Sequence, residues 1–220
     1  MPWQTIDYQA ARDRMQPGDI IAFSSNAGFS RLIKMATRSS VTHVGIVFQT
    51  RLIINKEVQD GFFNQVIEAT VVGGTNQAST ICNRLSDRIK FYPGEIWWLP
   101  LRQSLRETMD LKAFYDFLMR TEHTSYDVVQ AIKSAFDIPD HMALPGKLAQ
   151  NVEDYSKLFC SELAAGALKV SGAIKDVNAS EVTPSDLCRF SIYEPNYYQL
   201  KGAEKVIKGF NSIDPTGWGE

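Results

Sequence analysis

Short apolar runs that are typical of β-strands fill the first half of the chain, whereas helical periodicity dominates the second half. The predicted strands cover residues 19–23, 41–49, 51–58, 62–72 and 95–101. The predicted helices cover residues 6–16, 29–38, 105–121, 126–136 and about 158–170, with a loop at 137–153. Because the strands largely precede the helices, the pattern predicts an α+β fold with an antiparallel sheet packed on helices.

The composition narrows the class of protein. The chain has 220 residues, of which 44% are hydrophobic and 22% charged, so we expect a single globular domain over residues 1–220. A net charge of −2 gives no reason to expect a nucleic-acid partner. Without a long apolar run we expect no transmembrane segment. The start of the chain lacks a basic region followed by an apolar core, so a cytoplasmic location is expected.

The three cysteines, Cys82, Cys160 and Cys188, are too few and too irregularly spaced for a disulfide framework. No CxxC or HxxxH pairing is present, so we expect neither a metal site nor a cofactor. We interpret Cys82 and Cys188 as small buried hydrophobic residues, which is the commoner role of a free cysteine.

Cys160 is the candidate nucleophile. A helix that begins near residue 158 would place Cys160 in its first turn, where unpaired N–H groups and the helix dipole lower a thiol pKa. The same N–H groups could hold the oxyanion formed when a carbonyl is attacked. Phe159, Leu163 and Ala167 predict a buried helix face beside Cys160, so a purely structural thiol is the alternative.

His43 lies within an apolar strand, Val41-Thr-His-Val-Gly-Ile-Val47. Side chains on a strand alternate between its faces, so His43 and Gly45 share a face, and the glycine leaves space beside the imidazole. This arrangement suits a general base that must accept a ligand or a helix end. The alternative interpretation is a hydrogen-bonded core histidine. His123 and His141 lie in polar surroundings and are expected at the surface.

Glu68 interrupts another apolar strand, Gln65-Val-Ile-Glu-Ala-Thr-Val71. An unpaired buried carboxylate is costly, so Glu68 either faces solvent or meets a partner. We predict that it contacts the His43 ring nitrogen that faces away from Cys160 and orients the imidazole. An ordinary exposed glutamate is the alternative.

Five segments in this order resemble the circularly permuted papain-fold amidohydrolases, the NlpC-type superfamily in its YiiX/YebB-like branch. They are Gly18-Asp-Ile-Ile-Ala-Phe23, Thr42-His-Val-Gly-Ile46, Val66-Ile-Glu-Ala69, Phe159-Cys-Ser-Glu-Leu163 and Thr183-Pro-Ser-Asp-Leu187. The resemblance implies a permuted papain-like core at about 17–187, a small sheet or half-barrel against helices, and an insertion at about 105–153.

The resemblance also implies roles for individual residues. Cys160 would be the nucleophile, His43 the general base and Glu68 the third member, with Tyr126 and Ser161 as substrate contacts. Tyr126 could equally be a core aromatic at a helix start.

These residues together predict a cysteine hydrolase that cleaves a small-molecule or peptide-like amide through an acyl-enzyme intermediate. An acyltransferase or thioesterase acting on lipid or acyl substrates is one alternative. A ligand-binding module of the same fold that lacks turnover is another. The sequence leaves the substrate and the oligomeric state open.

Overall fold

The computed structural model describes residues 2–24, 40–51, 53–54, 57–58, 63–71, 77–121, 125–127 and 152–219. The strands are β1 Trp3–Thr5, β2 Ile20–Ser24, β3 His43–Gln49, β4 Ile53–Ile54, β5 Glu57–Val58, β6 Gln65–Val71, β7 Gln77–Arg84, β8 Glu95–Leu99, β9 Ser125–Asp127 and β10 Tyr197–Lys201. The helices are α1 Tyr8–Ala11, α2 Leu85–Phe91, α3 Gln103–Arg106, α4 Leu111–Thr121, α5 Val152–Val170 and α6 Pro184–Arg189.

Eight of these strands form one sheet in the order β1-β10-β8-β2-β3-β6-β7-β9. Neighbouring strands are antiparallel except β1 and β10, which pair in parallel. The predicted α+β class is confirmed, but the sheet is mixed rather than purely antiparallel. The strands that carry His43 and Glu68, β3 and β6, are direct neighbours near its centre.

Each face of the sheet has its own apolar cluster, because successive side chains of a strand point to opposite faces. Ala22, Val44 and Ile46 belong to the larger cluster, which α5 completes with residues from Cys160 to Leu168. Ile21, Phe23, Val47 and Val66 belong to the smaller cluster, which includes Ala11 of α1 and Leu85 of α2. The sheet therefore lies between a long helix on one side and two short helices on the other.

Several predicted boundaries are wrong. Residues 51–58 are not one strand, because β4 and β5 pair with each other as two short antiparallel strands. The predicted helix 105–121 is divided into α3 and α4, because the Asp110 side chain accepts a hydrogen bond from the Ala113 N–H and begins α4 anew. Tyr126 and Asp127 lie in β9 rather than in a helix.

The structure also contains elements that the sequence analysis did not predict, among them β7, β10 and α2. The predicted helix at residues 29–38, most of 126–136 and nearly all of the loop at 137–153 lie outside the described residues. The last of the five segments, Thr183–Leu187, begins the short helix α6, and the Thr183 and Asp186 side chains form a reciprocal cap at its start.

Candidate active site

His43 and Glu68 meet across neighbouring strands. The His43 Nε2 atom lies 2.7 Å from Glu68 Oε2. Both side chains are buried, with exposed fractions of 6% for His43 and 0% for Glu68. The predicted contact between the two residues is therefore present, and the alternative of an exposed strand glutamate is wrong.

Gly45 allows β3 and β6 to approach closely at this point. A Cβ atom on Gly45 would lie 2.4 Å from Val66 Cγ1, 3.2 Å from the Ile67 carbonyl oxygen and 3.3 Å from Glu68 Cβ. Side chains do not tolerate a carbon–carbon contact of 2.4 Å, so the absence of a side chain here permits the spacing of the two strands. The space that we predicted beside the imidazole is occupied by β6, including Glu68.

Two further side chains hold the Glu68 carboxylate. Asn83 donates through Nδ2 to Oε1 over 2.8 Å. Arg88 donates through Nη2 to Oε2 over 2.9 Å, and its Nε lies 2.7 Å from Oε1. Burial by itself would raise the Glu68 pKa, but the contacts with His43, Arg88 and Asn83 outweigh it and hold the pKa below its ordinary value. Glu68 is therefore ionised at neutral pH.

Cys160 is the third member of the group and contacts the His43 imidazole on the side away from Glu68. Its thiol is hydrogen-bonded to the His43 side chain. The Val44 N–H also donates to Cys160 Sγ over 3.4 Å. Because Glu68 occupies Nε2, Nδ1 is the ring nitrogen left for the thiol. Cys160 is almost fully buried, with 1% of its surface exposed.

The environment of His43 favours its charged form. Burial alone would lower the imidazole pKa. The negative charges and hydrogen bonds of Cys160 and Glu68 act in the opposite direction and raise the pKa from 6.5 to about 9. His43 is thus an imidazolium at neutral pH, and an imidazolium stabilises the ionised form of a neighbouring thiol.

The position of Cys160 within its helix corrects one expectation. We predicted that the helix would start near residue 158 and place Cys160 in the first turn. Helix α5 instead begins at Val152, so Cys160 lies about two turns inside it. An interior N–H group bonds to the carbonyl four residues earlier, so neither the free N–H groups nor the dipole of the helix start act on the sulfur.

Aromatic rings enclose the buried charges. The Phe23 ring lies 5.3 Å from the His43 ring and 5.0 Å from the Tyr92 ring, measured between centroids. The Arg88 guanidinium lies over both aromatic rings, 5.2 Å from the Phe23 centroid and 5.3 Å from that of Tyr92. Burial raises the pKa of the Tyr92 hydroxyl, so it remains protonated and can donate a hydrogen bond.

Sequence reasoning missed Asn83, Arg88 and Tyr92. All three lie in or directly after β7 and α2, the strand–helix pair that was not predicted. Leu85 and Ile89 both pack in the smaller apolar cluster, and their spacing of four residues is a helical signal that could have located α2. No sequence signal would have identified Glu68 as the partner of Arg88.

The remaining predicted site residues are placed as follows. Ser161 is fully buried, and its hydroxyl donates to the Val182 carbonyl oxygen, so this group already has a partner within the fold. The backbone of Tyr126 pairs with Ala78 of β7, but its side chain lies outside the described part of the structure. Outside the predicted site, Cys188 is fully buried as expected, and burial raises its thiol pKa, whereas Cys82 is only partly buried.

No family model matches the chain, and no curated protein matches it significantly. In the ranges that the structure describes, no helix is long and apolar enough to cross a membrane. Among those same residues, no group of three or more histidine, cysteine, aspartate or glutamate side chains is arranged to bind a metal ion.

Proposed function

We propose that this protein is a cysteine hydrolase that cleaves amide bonds of small-molecule or peptide-like substrates through an acyl-enzyme intermediate. The observation that carries the proposal is the buried Cys160–His43–Glu68 arrangement, in which the imidazole contacts the thiol on one side and the carboxylate on the other. A nucleophile, a base within hydrogen-bond reach and a third group that orients the base are the requirements for nucleophilic catalysis.

The reaction uses the proton that His43 carries. The Cys160 thiolate attacks the substrate carbonyl, and a carbon–sulfur bond forms while the carbonyl electron pair moves to oxygen. The intermediate collapses by breaking the carbon–nitrogen bond, and the His43 imidazolium gives its proton to the leaving amine. Neutral His43 then removes a proton from water, which attacks the thioester and releases the carboxylic acid. This restores the thiolate and the imidazolium.

The group that stabilises the oxyanion comes from strand β3 rather than from the start of helix α5. Helix α5 offers no free N–H at Cys160, because the residue lies in the helix interior. The Val44 N–H donates to Cys160 Sγ in the resting site, so it already points at the reacting atom. We assign this N–H to the oxyanion that develops beside the sulfur.

Three features support a circularly permuted papain-like fold as part of this proposal. The cysteine lies on a long helix that packs against the strands bearing the histidine and the glutamate. These strands precede the helix in the chain, which is the permuted order. The third feature is the order of the five sequence segments described above.

The buried charges favour an enzyme over a module that only binds ligands. Burying ion pairs is costly unless their geometry is good, and apolar residues of the same size often stabilise a fold as well. A cluster of Cys160, His43, Glu68 and Arg88 is therefore poorly explained by stability alone. An acyltransferase or thioesterase would use the same three residues, and only substrate tests separate it from an amidase.

Alkylation by iodoacetamide at about pH 6, followed by peptide mapping, tests the proposed nucleophile. Cys82 is more exposed than Cys160, so exposure alone would direct the reagent to Cys82. We expect Cys160 to react first, and its rate to fall at least ~10-fold in His43→Ala because the imidazolium is lost. Preferential labelling of Cys82, or a Cys160 rate unaffected by His43→Ala, contradicts the proposal.

Hydrolysis assays with alanine p-nitroanilide, an amide, and p-nitrophenyl butyrate, an ester, then distinguish an amidase from an acyltransferase or thioesterase. We expect anilide cleavage that falls at least ~1,000-fold in Cys160→Ala and persists in the matched control Cys82→Ala. Turnover of the ester alone favours the acyl-transfer alternative.

A further inference from the structure

Arg88 connects the buried site to the protein surface. Its guanidinium makes a forked contact with both carboxylate oxygens of Glu68, and 28% of its side chain is exposed. The Glu68 carboxylate therefore lies between two cationic groups, His43 and Arg88, and Cys160 follows on the far side of His43. In the thiolate–imidazolium state that the proposed mechanism uses, these four groups carry no net charge, which reduces the cost of burying them.

Arg88 is itself held in place. Its guanidinium lies over the Phe23 and Tyr92 rings at 5.2 Å and 5.3 Å, and such contacts fix the orientation of a planar cation. Phe23 also contacts the His43 ring. The same aromatic residue thus packs against both cations that bind Glu68.

We propose that Arg88 is a positioning residue that keeps the Glu68 carboxylate directed at His43 Nε2. This inference rests on the proposed function, because it assigns a role within the same site. Arg88 Nη2 donates a hydrogen bond to Oε2, and Nε lies 2.7 Å from Oε1 as an ion-pair contact. Rotation of the carboxylate away from the imidazole would break that hydrogen bond and lengthen the second contact. Asn83 adds one neutral hydrogen bond to Oε1, which is the weaker restraint.

Removal of Arg88 has two opposing effects on His43. The charged and titratable groups around the imidazole are Cys160 from α5, Glu68 from β6, and Arg88 and Tyr92 from α2 and its end. Loss of the Arg88 charge alone would raise the His43 pKa slightly, because a nearby cation is removed. This effect is small, because Arg88 is partly exposed and contacts Glu68 rather than His43. Loss of the Glu68 contact, at 2.7 Å and fully buried, weighs more.

Titration of the imidazole by NMR, with ¹³C-labelled histidine, tests the proposal without a substrate. The His43 signal is identified by its loss in His43→Gln. We expect the midpoint of Arg88→Gln to fall by at least ~1 pH unit below that of the wild type. Arg88→Lys keeps the charge but loses the fork, so its midpoint should lie between the two.

Arg84→Gln is the matched control. Arg84 is the last residue of β7, four positions before Arg88, its guanidinium lies over the Phe63 ring, and its substitution removes the same charge. Its His43 midpoint should equal that of the wild type. An unchanged or higher midpoint in Arg88→Gln overturns the proposal. If Arg88→Gln does not fold, Arg88→Lys decides, and a wild-type midpoint there overturns it equally. Failure of Cys160 alkylation would count against the hydrolase alone, since the titration is measured independently.

Discussion

Single residues in this site are explained by the need to pair every buried charge. His43 and Glu68 are both nearly inaccessible to water, and each contacts a group of opposite charge. The two pKa values move apart, upward for His43 and downward for Glu68. Such opposed shifts arise when a cation and an anion are stabilised by one another.

The raised His43 pKa makes folding stability depend on pH. The folded-state pKa of about 9 lies above the ordinary value of 6.5, so the folded protein binds the proton more tightly than the unfolded chain. The contribution is complete below about pH 6.5 and disappears as the pH rises through about 9. The rise from 6.5 to about 9 corresponds to roughly 3–4 kcal/mol, since each pKa unit is worth about 1.4 kcal/mol.

Urea unfolding of the wild type and His43→Gln between about pH 6 and pH 10 checks this prediction. Other groups titrate in this range in both proteins, so the difference between the two is the quantity of interest. We expect the stability advantage of the wild type to shrink as the pH rises. A difference that stays constant would show that the imidazole gains no proton affinity on folding.

The sequence revealed the residues that interrupt an apolar pattern. His43 and Glu68 each break a run of strand-forming residues, and a polar group in such a run must find a partner. Arg88 and Asn83 lie among other polar residues, where a polar side chain is the ordinary case. Nothing local distinguishes them, so their roles could be identified only from the packed structure.

Secondary-structure elements were predicted best where burial leaves a clear apolar pattern in the sequence. β2, β3, β6 and β8 have long apolar runs because both of their faces are covered, and each was located approximately. β7 has the polar sequence Gln77-Ala-Ser-Thr-Ile-Cys-Asn-Arg84, and its stability comes from pairing with β6 along its length. Backbone pairing with a neighbouring strand leaves no periodic apolar signal in the sequence, so this strand was missed.

The spacing of β3 and β6 depends on Gly45, and Gly45→Ala tests this dependence. The added methyl would overlap Val66 Cγ1, so we expect a loss of about 1–3 kcal/mol in unfolding free energy. Val66→Ala removes the overlapping atom. The cost of Gly45→Ala should therefore be smaller in a Val66→Ala background, measured as a double-mutant cycle by urea unfolding. Equal costs in the two backgrounds would mean that the close approach is unimportant.

At the scale of the whole molecule, contacts between a few aromatic and polar side chains connect segments that are distant in sequence. Phe210 packs against the Tyr197 ring at 4.4 Å, and the Trp218 ring lies 5.6 Å from Phe190. The chain after residue 209 is therefore packed on the domain through its aromatic residues. The α+β class and the positions of the central strands along the chain could be predicted from the sequence. These long-range contacts could not, because they exist only once the core has packed.

Asp19 is one of the buried side chains with the most hydrogen-bond partners in the described part of the structure. Its carboxylate accepts hydrogen bonds from the backbone N–H groups of Gln16 and Leu101 at 2.9 Å and 2.8 Å, from Trp98 Nε1 at 2.9 Å, and from Arg106. It joins the start of β2 to the end of β8 and to α3. Gly18, directly before it, has a φ of 91°, a conformation that favours glycine and turns the chain into β2.

Asp19→Asn should therefore destabilise the whole domain. The asparagine amide has one acceptor oxygen, and its NH₂ group would face donors, so at least one buried N–H and the Arg106 charge lose their partner. We expect a loss of about 2–4 kcal/mol in unfolding free energy, with a single cooperative transition retained. Asp13→Asn, at an exposed position six residues earlier, is the matched control and should change stability by less than about 0.5 kcal/mol. If the two variants unfold at the same urea concentration, the Asp19 contacts do not hold these elements together.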